Sequence, residues 1–110
     1  MSAGARGHLR IDQRSLAMHR AIADKLRANP ALLQIARDNL KRRSLANSRS
    51  QPYWDAWQAL LDQPLEVLLA VLVEESERMT TMRQTSPFAG VLSPAERWAI
   101  YDRFKPGRAT

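Results

Sequence analysis

The chain has 110 residues, 45% of them hydrophobic and 25% charged, the proportions of one globular domain. It has no cysteine, which excludes disulfides, thiolate metal sites and cysteine nucleophiles. Two histidines, His8 and His19, leave little for a zinc site or a histidine-based triad, and Lys and Arg exceed Asp and Glu by six charges.

The first ten residues lack the apolar core of a secretory signal. The longest apolar run, Val67–Val73, is seven residues, far short of the ~20 that span a bilayer. A cytoplasmic protein without a membrane segment is expected. The charge is lopsided: residues 1–50 carry eleven basic and three acidic side chains, and residues 51–110 carry six basic and eight acidic ones. The reading is a single domain over 1–110, with a basic helical part at 1–50 and an aromatic-rich, partner-binding part at 51–110.

Proline suits the first turn of a helix, where its missing N–H has no partner to lose. Pro30, Pro52, Pro64 and Pro94 mark four such starts. The first helix, upstream of these, is expected over about Gln13 to Arg27, with Asp12 as its candidate cap. Its buried stripe is Leu16, Ile22 and Leu26, flanked by His19 and Ala23. The second runs from about Pro30 to Arg43, with Leu33, Ala36 and Leu40 in line and Leu32 and Ile35 beside them. A polar linker at 44–51 follows. The third, about Pro52 to Leu61, places Trp54, Trp57 and Leu61 at i, i+3 and i+7, read as core. The fourth, about Pro64 to Arg83, begins apolar nearly all round, as a central helix would. The fifth, about Pro94 to Phe104, opens on Ser93-Pro94-Ala95-Glu96, a capping box. No segment alternates as a strand does, so the fold class is all-α, a compact bundle of about five helices.

Enzymatic chemistry finds little support. Glu74 and Glu77 share a helix face and would bind metal only with ligands from a second helix. Glu74 also precedes Arg78 by four residues, the favourable order for a surface ion pair. His19 with Asp12 or Asp24 is a conceivable acid–base pair. Nucleophile-elbow, phosphate-loop and HExxH motifs are missing. The expectation is a non-enzyme with no catalytic residues, cofactor or metal.

Two binding functions remain. Arg37, Lys41, Arg42, Arg43 and Arg49 concentrate positive charge at the end of the second helix, with Arg6, Arg10, Arg14 and Arg20 upstream. Such a cluster would attract phosphate and suits a small nucleic-acid-binding regulator, although cations at a helix C-terminus also complement its dipole. The other function is protein binding. All three Trp, both Tyr and both Phe lie in the last sixty residues, and aromatics and Met are enriched in interface cores. The segment 84–92 is a loop by its breakers yet carries Phe88, Val91 and Leu92, while a short terminal helix with Trp98, Tyr101 and Phe104 needs docking. Met79, Met82 and Arg83 complete the candidate partner-binding set Met79, Met82, Arg83, Phe88, Val91, Leu92, Trp98, Tyr101 and Phe104. The partner sits in cis, in trans or in a homo-oligomer.

The stretches Arg14–Leu26 (RSLAMHRAIADKL) and Arg83–Trp98 (RQTSPFAGVLSPAERW) resemble a group of short bacterial helical proteins whose genes pair with a toxin-like neighbour. The resemblance implies an antitoxin of a type II toxin–antitoxin pair, neutralising the neighbouring gene's product by direct binding. It would couple a basic, operator-binding part to a toxin-binding part, matching the charge division. The leading expectation is therefore partner binding, with nucleic-acid binding as the alternative.

Overall fold

The structure, a computed structural model, describes the backbone of residues 3–46 and 48–105 and the side chains of 11–46 and 49–105. The upstream cations Arg6 and Arg10 lie outside the described side chains. The first helix, α1, runs Ala3–Ala28. Its 26 residues make a rod of about 39 Å at 1.5 Å per residue, which sets the 42 Å long dimension of the molecule. Asp12 is thus inside the helix rather than capping it. Helix α1 ends where the sequence requires: Asn29, the residue before Pro30, is extended at φ −144°, ψ 84°, since proline's ring excludes the α region from its predecessor.

One 3-10 turn, Pro30–Leu32, leads into α2, Leu33–Ala46. A second, Ser48–Ser50, leads into α3, Gln51–Leu61. The expected linker is therefore largely helical. Beyond it come α4, Leu65–Leu72, α5, Glu77–Arg83, and α6, Pro94–Arg103. No strand occurs among the described residues. Among the described residues the fold is all-α with six α-helices, close to the expected number of about five, the extra one arising because the expected fourth helix breaks in two.

The break has an identifiable cause. Ser76 caps α5, its Oγ accepting from Met79 N–H at 3.1 Å. Arg83, seven residues further along, reaches back to donate to the carbonyls of Leu72 at 3.1 Å and Glu74 at 2.9 Å. It thereby satisfies orphan acceptors at the end of α4 and places a cation at its negative pole. Chain reversal at 73–76 lets α4 and α5 both pack on α1. Helix α4 is also one-sided rather than central: Leu68, Leu69 and Leu72 are buried, while Val67 and Ala70 are exposed.

The core draws on both halves of the chain: Ile22, Leu26, Ala36 and Leu40 from the first meet Trp54, Trp57, Leu61, Leu69 and Phe88 from the second. The basic and aromatic halves are therefore one body with one core. On α1 the buried stripe is His19, Ile22, Ala23 and Leu26, at i, i+3, i+4 and i+7; Leu16 is only half-buried. On α3 the expected Trp54, Trp57 and Leu61 are all buried, Trp57 completely.

The loop at 84–92 is a strap pinned across this core. Phe88 inserts between Trp57 and His19, edge-on to each at centroid separations of 5.8 and 6.3 Å. Trp57 Nε1 donates to Thr85 Oγ1 at 3.1 Å, and Arg43 donates to the Ser86 carbonyl at 2.8 Å. Asn39, buried on α2, donates to the carbonyls of Pro87 at 2.9 Å and Ala89 at 2.8 Å. Gly90 turns the strap at φ +96°, backbone that a side chain would strain. Asn39→Ala leaves two strap carbonyls without their donor and is expected to cost about 2 kcal/mol. Urea unfolding checks the cost, and faster amide exchange across 85–91 would localise it.

Candidate partner-binding surface

The nine residues expected to grip a partner divide sharply. Met79, Met82, Phe88, Val91 and Leu92 are in the chain's own core. Arg83 is 5% exposed and spent on the α4–α5 turn. The strap therefore presents none of its large apolar side chains to a partner. Its apolar side chains point inward because Asn39, Arg43 and Trp57 hold its polar backbone and hydroxyl groups on the core side. What reaches the surface is the α6 end of the set.

Helix α6 is set firmly enough to display a side chain. Ser93 Oγ accepts from Glu96 N–H at 3.1 Å while Glu96 accepts from Ser93 N–H at 2.7 Å, completing the expected capping box. Lys25 on α1 binds the same carboxylate at 2.5 Å, and these hydrogen bonds hold Glu96 down at about 2. Ile100 anchors the inner face in the core. On the outer face Trp98 is 69% exposed. Its ring stands edge-on to Tyr101 at 5.8 Å, and the Arg14 guanidinium lies 4.9 Å over the Tyr101 ring from the other side. Trp98, Tyr101 and Phe104, with Arg14, Asp102 and Lys105, line a surface cleft of about 400 Å³. Phe104 also packs against the core.

Of the candidate nucleic-acid residues, Arg37 and Lys41, one turn apart on α2, line the same cleft, and the others turn elsewhere. Arg37 turns to α3, donating to the Asp62 carboxylate at 3.0 Å and the Leu61 carbonyl at 2.7 Å, where it offsets that helix's negative end. Arg43 binds the strap and lies 5.9 Å over the Trp54 ring of α3. Arg42 donates to Asn39 Oδ1. Lys41 and Arg49 are exposed. A 3.6-residue period turns the cations at 37, 42 and 43 to different sides while keeping 37 and 41 on one.

The candidate catalytic groups are placed differently again. His19 makes no hydrogen bond to Asp12 or Asp24. Its Nδ1 lies 2.7 Å from the Ser15 carbonyl, which only an N–H satisfies. Nδ1 is thus the protonated nitrogen, and Nε2 accepts from Ser86 Oγ at 2.8 Å. The imidazole is a latch between α1 and the strap, and burial, aided by the positive charge of Arg83, pushes it from 6.5 down to about 4. Glu74, Glu75 and Glu77 are exposed. Glu74 accepts from Ser76 Oγ at 2.6 Å, and Glu75 pairs with Arg20 at 3.0 Å. The helix break removes the expected Glu74–Arg78 register. No three metal-capable side chains converge among the described residues.

The latch carries a pH signature. Between pH 6.5 and about 4 the unfolded chain takes up a proton at His19 that the folded chain refuses. Stability therefore falls as pH drops through this window, by about 3 kcal/mol in full. His19→Gln is expected to flatten urea-unfolding stability over that range.

Asn39, Ser86 and Arg97 were not singled out from the sequence. The i, i+3 spacing of Asn39 from Ala36 was a usable signal for a polar side chain aimed inward. Ser86 carries no local signal, because its hydroxyl bonds to His19 on α1, and Arg97 is placed only by the cleft it lines. Among the described residues, no helix is long and apolar enough to cross a membrane. Comparison of the chain with protein-family models, with curated proteins and with solved structures finds no match.

Proposed function

We propose that this chain is a non-enzymatic protein-binding module whose α6 face inserts Trp98 into an acidic protein partner. The observation that carries the reading is Trp98: a large aromatic ring, 69% exposed, held rigid on a capped, core-anchored helix. Tryptophan presented this way is the side chain most often found at the energetic centre of an interface. Beside it Arg14 and Lys105 line the cleft with a single acid, Asp102, and the whole chain has a net charge of +6. Both favour a negatively charged partner and a salt-sensitive association rate.

The particular case we propose is an antitoxin that acts in the bacterial cytoplasm and covers its toxin's working surface. Occlusion would run through α6 and not through the strap. The test is co-expression with the product of the adjacent gene. Wild-type chain is expected to co-purify with it, and Trp98→Ala to lose it while keeping its helical circular dichroism. Undiminished co-purification of Trp98→Ala would overturn the α6 reading. A concentration-dependent dimer of the chain alone, abolished by the same change, would assign the face to self-association.

A further inference from the structure

A second cleft opens on the other side of Tyr101, where α1 meets α5, the strap and α6, with a volume of about 400 Å³. Three arginines from three elements line it: Arg14, Arg83 and Arg97. Asp12 is the sole carboxylate in its lining. Among the described residues none of the three arginines forms an ion pair. Arg14 lies 4.9 Å over the Tyr101 ring. The Nε atoms of Arg83 and Arg97 are buried with no hydrogen-bond partner. Arg83 binds neutral oxygens only, the carbonyls of Leu72 and Glu74 and the Thr80 hydroxyl.

Guanidinium stays charged at any accessible pH, and a buried charge is ordinarily matched by an opposite one. One carboxylate lines the cleft with three cations, Glu74 and Glu75 act on Arg83 only from outside it, and the neighbouring His19 is spent on Ser15 and Ser86. The cleft is short of negative charge. Ile11, Met18 and Ile22, with the Tyr101 ring, form an apolar wall, and the polar Ser15, Thr80, Gln84 and Ser86 also line the cleft.

We propose that this cleft binds a small organic oxyanion, its phosphate or carboxylate head on Arg97 and Arg14 and its apolar body against Ile11, Met18 and Tyr101. The guanidinium fork matches either head group in two parallel hydrogen bonds. Arg83 contributes charge from behind and keeps its structural bonds. Ser86 and Thr80 are not donors to the ligand, since their hydroxyls are already given to His19 and to the Ser76 carbonyl. Asp12 opposes binding, and so sets the affinity.

Phenyl phosphate and benzoate are the probes, titrated calorimetrically into the full chain, with sodium chloride at matched ionic strength as the control. Saturable one-to-one binding of either probe is expected, tighter than that of inorganic phosphate or acetate. The stronger of the two identifies the head group. Arg97→Met keeps the aliphatic stem and is expected to weaken binding at least tenfold, whereas Asp12→Asn is expected to strengthen it several-fold. That gain would not follow if the arginines were merely structural, and it stands whether or not Arg97→Met folds well. Binding unchanged in both variants, or a thermal stabilisation that sodium chloride reproduces, would overturn the proposal. Trp98→Ala is expected to leave probe binding intact, which separates this site from the partner-binding face.

Discussion

Phe88→Ala is expected to be the most destabilising single change in the strap, costing about 3–5 kcal/mol, the usual range for emptying an aromatic site in a packed core. The ring is 2% exposed and contacts Trp57 and His19 edge-on, so its loss removes burial and two aromatic pairs together. Against a total stability of about 5–15 kcal/mol for a domain, that is enough to lower the melting temperature by more than about 10 °C. Urea denaturation followed by circular dichroism measures it. A companion reading comes from His19: with the ring gone, water reaches the imidazole, and its NMR titration is expected to move from about 4 back toward 6.5. Phe88→Leu, which refills most of the volume, is expected to cost about 1 kcal/mol. Loss of less than about 1 kcal/mol in Phe88→Ala would mean that the strap is not seated in the core.

Trp98→Ala is expected to behave in the opposite way. Its ring is mostly in water, so little burial is lost. The partly solvated edge contact with Tyr101, worth at most about 1 kcal/mol, is offset by the better helix propensity of alanine. Folding stability is therefore expected to stay within about 0.5 kcal/mol of wild type. Affinity for the partner is expected to fall by at least 2 kcal/mol, roughly 30-fold, as at a tryptophan hot spot. Titration of the purified partner at two salt concentrations measures both the loss and the basic rim's contribution to association. Phe88 and Trp98 lie ten positions apart on a stretch that reads as one apolar arm, yet one is expected to report folding and the other binding.

The lopsided charge, which by itself suggests a phosphate-seeking half, has a second use inside the fold. Arg20–Glu75, Lys25–Glu96, Arg27–Glu66 and Arg37–Asp62 each join a cation of the first fifty residues to an acid of the last sixty. Exposed pairs of this kind contribute little individually, about 0–1 kcal/mol. Together they favour the one arrangement in which α1 and α2 lie against the later helices, and they leave fewer cations for an outside partner than the composition implies.

Local chemistry was enough to read the helices that begin or end on a strong local signal. Pro30 after Asn29 stops α1, Ser93 to Glu96 starts α6, and the Trp54, Trp57, Leu61 spacing names the buried face of α3. These depend on backbone sterics, capping bonds and helical period, all of which act within a few residues. The fourth helix was misread because its break is held by Arg83, whose hydrogen bonds to the carbonyls of Leu72 and Glu74 form only after the chain has reversed. The start of α1 was not legible either, because Asp12, a residue that favours caps, lies inside a helix whose buried stripe is held by tertiary packing.

The candidate site was legible only in its last third, where α6 carries a strong cap and an aromatic that periodicity places opposite Ile100. Which apolar residues of the C-terminal arm remained free was a tertiary question. An aromatic side chain is equally suited to a core and to an interface, and the outcome was decided by partners far away in sequence: His19, Asn39, Arg43 and Trp57 draw Phe88 inward, and nothing draws Trp98. Residue order along the chain determined that the protein is helical and where most of its helices begin. The packing of α1 against the C-terminal elements alone decided which cations are paired, which rings are buried, and where three arginines meet around a single carboxylate.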